Sequence, residues 1–298
     1  MKIEKYAAID IGSNAIRVLI SNVFKFKNNP PLFVKNEIIR VPIRLGEDSF
    51  TIGEISKINI KKIIKALRAF RLLMEIYEVK DYMICATSAL RESTNSKDIV
   101  ELVKDNLDLN IQVIDGRKEA QIISNINVFN FNDSTNSKNF LYVDVGGGST
   151  EFSILIDGKR FISKSFKIGT VRSINNMVNY KDWIEIEKWV RLNSKGFDDI
   201  SILGSGGNIN KVFKIAKIKE GNPLTLFRLN SIYKSLSKLS YEERIYQYSL
   251  NPDRADVIIP AIEIYLKALY WSGSNKIYVP KIGLSDGMIV ELYNKNNR

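Results

Sequence analysis

The sequence predicts an α/β protein made of two related subdomains, on three observations. One strand-turn-strand plan occurs twice, strands and helices intersperse after each copy, and 298 residues with 45% hydrophobic composition suffice for two cores. In the first copy, YAAIDIGSNAIRVLI, Asp10 ends an apolar strand, a Gly-Ser-Asn turn follows, and a second apolar strand begins. The second copy, LYVDVGGGSTEFSILI, repeats the plan with Asp144 and the turn Gly146 to Thr150. Both have the form of a hairpin.

After the first hairpin the pattern predicts a strand from Phe33 to Ile43. A helix follows, with Ile60, Ile63, Ile64, Leu67, Phe70, Met74 and Tyr77 at the three-and-four spacing of one buried face. A strand Tyr82–Ala86, a helix from about Lys97, a strand Ile111–Ile114 and a helix from about Arg117 complete the first half. The polar stretch Asn130–Lys138 is the linker candidate, so the domains are expected at 1–130 and 139–298, with the last helix able to pack back on the first domain. The second half predicts a strand Arg160–Phe166, a helix around Ile184–Leu192, a strand Ile200–Leu203 and a glycine turn Gly204–Asn208 opening a helix. Helices from about Asn230, Tyr241 and Asp253, a strand Ile277–Val279 and a helix from about Ser285 follow, and Pro260 should kink or restart the helix it lies in.

The chain has no histidine, which excludes Ser-His-Asp and Cys-His catalysis, histidine metal sites and histidine phosphotransfer. Its chemistry must use carboxylates, Lys, Arg, hydroxyls and bound metal. A net charge of +11 suits a polyanionic ligand, although a bias toward Lys, Asn and Ile also accounts for it. The positive residues are spread out, without an arginine-rich run or interleaved aromatic stripe, which argues against a nucleic-acid partner. No secretory signal pattern or apolar span is present, so a cytoplasmic protein without a membrane partner is expected. The single cysteine, Cys85, lies in an apolar run and is expected to be a buried structural thiol.

Glycine turns let backbone amides approach a ligand, and with Ser and Thr hydroxyls they form concave anion sites. An Asp at each strand end can hold magnesium, so two such loops could grip a metal-phosphate group from both sides. Neither GxxxxGK[ST] nor GxGxxG occurs, which leaves P-loop and dinucleotide enzymes unsupported.

DIGSN at Asp10, ATSALRES at Ala86, GRKEA at Gly116, DVGGGSTE at Asp144, GSGGN at Gly204 and NPDRADVIIP at Asn251 together resemble the exopolyphosphatase and guanosine pentaphosphate phosphohydrolase (Ppx/GppA) family, in its short form. The resemblance covers essentially the whole chain. It implies two ribonuclease-H-like domains of the actin-like ATPase superfamily with the active site in the cleft between them. It implies Glu119 as the catalytic base that activates water, since the family pattern is Gly-x-Glu-Glu-Ala and the glutamate directly before Ala is the base. From sequence position alone, Glu119 reads as an acid that complements a helix start, and only the resemblance makes it catalytic.

The resemblance further implies phosphate contacts from Ser13, Asn14, Arg91, Gly147, Ser149 and Gly206. Magnesium (Mg2+) would be held by Asp144 and Gly146, with Glu151 nearby. Lys118 departs from the family's paired acids, and GLSDGM at Gly283 departs from Gly-Leu-Arg-Glu-Gly. The DRAD segment is a good helix cap and is left outside the expected site. Longer relatives append a helical domain, so a chain ending at Arg298 is expected to show weak processivity or to use a short substrate.

The implied activity is release of orthophosphate from a linear phosphoanhydride, polyphosphate or pppGpp, and a homodimer follows by family analogy. A non-catalytic polyphosphate or (p)ppGpp sensor and an ATP-dependent kinase of the same superfamily are the alternatives.

Overall fold

The structure is a computed structural model that describes residues 1–124, 139–197 and 199–297. The chain divides into two compact units, residues 1–126 with 284–298, and residues 127–283. The linker candidate Asn130–Lys138 lies outside the described residues.

The first unit opens with three antiparallel strands, β1 (Lys2–Ile11), β2 (Ile16–Lys25) and β3 (Leu32–Val41). Then come α1 (Leu45–Thr51), α2 (Lys57–Ile76), β4 (Asp81–Ala86), α3 (Ser88–Glu92), α4 (Ser96–Leu107), β5 (Ile111–Val113) and α5 (Gly116–Ser124). The strand order is β3-β2-β1-β4-β5, with β4 parallel to both β1 and β5. The expected face of α2 is inside at Ile63, Leu67, Phe70 and Met74, and Ser56 caps the helix by accepting from the Asn59 amide.

The second unit repeats the plan with β6 (Asn139–Val145), β7 (Thr150–Ile156) and β8 (Lys159–Phe166). It continues with α6 (Thr170–Ile174), α7 (Tyr180–Ser194), β9 (Ile200–Ser205), α8 (Gly207–Ala216), β10 (Leu224–Thr225), α9 (Leu226–Ser237), α10 (Tyr241–Tyr248), α11 (Pro252–Ala255), α12 (Ile258–Ser272) and β11 (Lys276–Tyr278). Its sheet runs β10-β11-β9-β6-β7-β8. Set aside the short β10, and the order from β8 to β11 matches that from β3 to β5. Both units therefore have the ribonuclease-H-like plan that the family resemblance implies. The core lies where α7, α8, α9 and α12 cover the sheet, around Phe152, Ile186, Val190, Ile202, Leu229 and Tyr265.

After the second unit the chain returns to the first as α13 (Leu284–Lys295), which packs on β1, β2, β4 and α5. Tyr293 meets Tyr6 and Phe33 edge to face, at centroid distances of 6.3 and 5.4 Å. Among the described residues no helix is long and apolar enough to cross a membrane.

Several details differ from the expected pattern. The turn expected over Gly204–Asn208 contracts to Gly206, because Gly204 and Ser205 finish β9 while Gly207 and Asn208 begin α8. Helix α7 starts at Tyr180, ahead of the expected Ile184, because Asn179 and Asp182 form a reciprocal capping box. Pro260 occupies the first turn of α12, where a missing amide costs no helical hydrogen bond, so the helix restarts after α11. Cys85 is fully buried.

Candidate active site

Each hairpin sets a row of side chains on one sheet face, because residues in register on neighbouring strands point the same way. In the first unit the row is Arg40, Arg17, Asp10, Cys85 and Gln112. Asp10 is buried, and the Arg17 guanidinium holds its carboxylate, with Nε 3.1 Å from Oδ2 and Nη2 on the same oxygen. The matching row of the second unit is Ser165, Glu151, Asp144 and Ser205. The position that carries Arg17 in one hairpin carries Glu151 in the other. One row already contains its cation; the other sets two acids directly opposite each other, flanked by hydroxyls.

Those acids are held by named partners. Glu151, 3% exposed, accepts from Ser149 Oγ at 2.6 Å and from Ser165 Oγ at 2.9 Å. Asp144 Oδ2 lies 3.0 Å from Ser205 Oγ and accepts from the Tyr142 hydroxyl at 3.3 Å. Ser205 Oγ is also 2.7 Å from the Ile282 carbonyl and, with one proton, donates to one of the two at a time. Burial, then the Asp144 charge, pushes the Tyr142 phenol well above its ordinary range, so it stays a donor.

The triple-glycine turn is held from its carbonyl side. The amides of Thr170 and Val171 donate to the carbonyls of Gly146 and Gly147 at 3.0 and 2.8 Å, and Arg172 Nε donates to that of Gly148 at 2.7 Å. In a planar peptide the N–H points opposite its C=O, so the amides of Gly147, Gly148 and Ser149 face away from α6. An inward-facing set of carbonyls thus leaves an amide face for an anion. Both backbone groups of Gly146 are engaged, its amide with the Ser149 carbonyl at 2.9 Å, so a cation would meet its carbonyl only through the second lone pair.

Gly206 stands at φ 108°, and a Cβ there would lie 3.0 Å from the Val145 carbonyl and 3.2 Å from Asp144 Oδ1. Glycine lets β9 turn into α8 directly beside Asp144. Arg254, outside the expected site, packs its guanidinium on this turn and donates to the Gly207 carbonyl. Burial, then Lys214 and Arg254, pull the Lys211 ammonium below its ordinary range, a sign that positive charge is concentrated around the first turns of α8. The capping sequence NPDRAD hid Arg254, because its role depends on a contact with residues far away in the chain.

In the first unit, the β1–β2 turn is fixed by α1, a helix the periodicity did not predict. The Gly46 amide donates to the Ser13 carbonyl at 2.8 Å and the Arg44 amide to the Asn14 carbonyl at 3.1 Å. The Ser13 hydroxyl is buried without a hydrogen-bond partner among the described residues, as suits a group that donates to a ligand. Arg91 Nη1 donates to the Ile114 carbonyl at 2.8 Å, tying α3 to the loop that leads into α5. Glu119 lies in the first turn of α5, 8% exposed, and Asp115 caps that turn by accepting from the Lys118 amide at 2.7 Å. Asp10, Glu291, Glu119 and Lys118 all bear electrostatically on Cys85, so Glu119 is near the carboxyl ends of β1 and β4, where open α/β sheets bind ligands.

Ser13, Asn14, Arg91 and Glu119 thus belong to the first unit, and Asp144, Gly146, Gly147, Ser149, Glu151 and Gly206 to the second. Among the described residues no group of three or more acids, cysteines or histidines is placed to hold a metal. Two carboxylates with water and phosphate oxygens completing the shell is nonetheless the way magnesium is commonly held, so the second unit's row fits that ion.

The sequence profile of the Ppx/GppA phosphatase family matches residues 34–296. The bifunctional 3-dehydroquinate synthase/phosphatase of Fusobacterium nucleatum is 31% identical over 96% of this chain and 46% of its own, so the chain spans about half of that relative's length. The putative exopolyphosphatase of Haemophilus influenzae is 23% identical over 97% of this chain and 90% of its own. Among solved structures, an exopolyphosphatase from Cytophaga hutchinsonii aligns over 98% of both chains with a TM-score of 0.83 at 22% identity. The Aquifex aeolicus family member aligns over 100% of both with a TM-score of 0.77 at 22% identity. With its two matching sheets and glycine hairpins, and a profile match across most of its length, the chain belongs to the Ppx/GppA phosphatase family.

Proposed function

We propose that the protein releases orthophosphate from the end of a linear phosphoanhydride, inorganic polyphosphate or pppGpp, with Glu119 as general base. The observation that carries this reading is the contrast between the two hairpin rows: Asp10 faces Arg17, whereas Asp144 faces Glu151. Such an arrangement provides one neutralised hairpin for phosphate and one that attracts a divalent cation.

In this reading Asp144 and Glu151 hold magnesium directly or through water. The bound ion would neutralise phosphate charge as the bond to the leaving group breaks. In the second unit the amides of Gly147, Gly148 and Ser149 and the turn at Gly206 receive phosphate oxygens, and in the first unit the Ser13 hydroxyl, Asn14 and Arg91 do so. Ser149 must turn its proton from Glu151 to the substrate to take part. Glu119 orients a water and accepts its proton. The protein acts on a soluble anion in the cytoplasm.

The test is phosphate release by the purified protein with magnesium, offered short polyphosphate, long polyphosphate and pppGpp in parallel, beside Glu119→Gln. Release that falls by about 10²-fold or more in the variant, with binding retained, supports the hydrolase and identifies its substrate. Normal turnover by Glu119→Gln overturns the base assignment. Binding without release by the parent protein indicates the sensor, and ADP with a phosphorylated acceptor indicates the kinase.

A further inference from the structure

The motif around Glu119 departs from its family pattern at Lys118, and this lysine reaches a distant part of the chain. Lys118 Nζ lies 2.9 Å from Glu291 Oε1 on α13. One turn along α5, at Ile122, α13 comes so close that a Cβ on Gly287 would stand 2.2 Å from the Ile122 carbonyl oxygen. Residues 118 and 122 are a turn apart on α5, as are 291 and 287 on α13, so the contacts are consecutive rungs between antiparallel helices. The backbone approach at Gly287 sets the spacing, because any side chain there would push the helices apart. The ion pair sets the register, because a slide of one turn would separate Lys118 from Glu291.

Glu119 follows Lys118 on the same turn of α5. Helix α13 is itself anchored on the sheet by Tyr293 against Tyr6 and Phe33, and by Asn296 Nδ2 donating to Asp81 Oδ2 at 2.7 Å. We propose that Glu291 and Gly287 are positioning residues, and that α13 acts through Lys118 and Ile122 to set where the Glu119 carboxylate stands. The proposal rests on the reading of Glu119 as the base, and it assigns a role to the altered GLSDGM segment and to Lys118 together. Lys118 is then a tether to α13, with its charge met by Glu291.

The experiment measures kcat, KM and melting temperature for phosphate release by the full chain. It compares the parent with Glu291→Gln, with the exchange Lys118→Glu plus Glu291→Lys, and with Asp286→Asn. Asp286, on the same helix, pairs with Lys35 of β3 at 2.7 Å, so it serves as the control for general loosening of α13. Glu291→Gln is expected to lower kcat about tenfold with KM within about twofold, since small misplacements of a catalytic group carry penalties of this order. The exchange is expected to restore kcat, and Asp286→Asn to leave it unchanged for a similar shift in melting temperature. Gly287→Ala should lower kcat further; if it does not fold, the Glu291 variants still decide.

Retained kcat in Glu291→Gln, an equal loss in Asp286→Asn, or an exchange that rescues nothing would overturn the proposal. Glu119→Gln run alongside separates the layers. Full turnover in that variant overturns both readings, whereas a dead Glu119→Gln beside a fully active Glu291→Gln overturns only the positioning role.

Discussion

Replacing Glu151 with Gln tests the cation-binding row through two opposed effects on stability. Directly opposed side chains on antiparallel strands have Cβ atoms roughly 5 Å apart. Two like charges at that separation repel by about 3 kcal/mol at an effective dielectric constant of 20. Glu151→Gln removes that repulsion from Asp144 and weakens the hydrogen bonds from Ser149 and Ser165, by about 1 kcal/mol each. The balance is a gain of about 1 kcal/mol without metal, or roughly 2–4 °C for a unit of this size.

Magnesium should cancel that gain. At a concentration 100 times its dissociation constant, the ion stabilises the parent by about 2.7 kcal/mol, whereas a tenfold weaker site gains only about 1.4 kcal/mol. The variant should therefore melt higher than the parent in EDTA, and that advantage should close at this magnesium concentration. Scanning fluorimetry across a magnesium titration, paired with phosphate release, measures both effects. An equal magnesium-induced shift in parent and variant, or a variant that is less stable in EDTA, would refute the reasoning.

Three further outcomes are expected. Burial would raise the Glu4 pKa, but Lys25, Lys80, Lys2 and the Tyr6 hydroxyl outweigh it and hold the carboxyl well below its ordinary 4.5. Its contribution is then present above about pH 4.5 and lost as pH falls, so Glu4→Gln should cost about 1–2 kcal/mol at pH 7 and progressively less in acid, as followed by urea melts. The Cys85 thiol, pushed up to about 12 first by burial and then by the Asp10 charge, should resist alkylation at pH 8 until the protein unfolds, as read by mass spectrometry. Gly206→Ala forces a side chain into the left-handed region and against the Val145 carbonyl; it should destabilise by about 1–3 kcal/mol and weaken phosphate binding, as measured by calorimetry.

The hairpins were legible because glycine turns between apolar runs are local signals. Counting outward from each four-residue turn even pairs Asp10 with Arg17 and Asp144 with Glu151, so the contrast between the rows was present in the two motifs. Helices α1, α3 and α6, at five to seven residues, are too short to show a periodic face. Helix α6 exists where the carbonyls of the glycine turn receive its first amides, a tertiary cause that local pattern does not report. The partners of Lys118 and Asp144 were equally hidden. Lys118 meets Glu291 and Ser205 meets Asp144 across long stretches of chain, and only the folded units bring each pair together.

The return of α13 to the first unit also orders events during synthesis. Strand β1 leaves the ribosome before residues 127–283, yet the helix that covers it follows them. A nascent chain therefore has every segment of its second unit available while Tyr6 and its neighbours still lack their cover. The first unit closes last, so its bare sheet during that interval is where chaperone capture or misassembly would act on this protein.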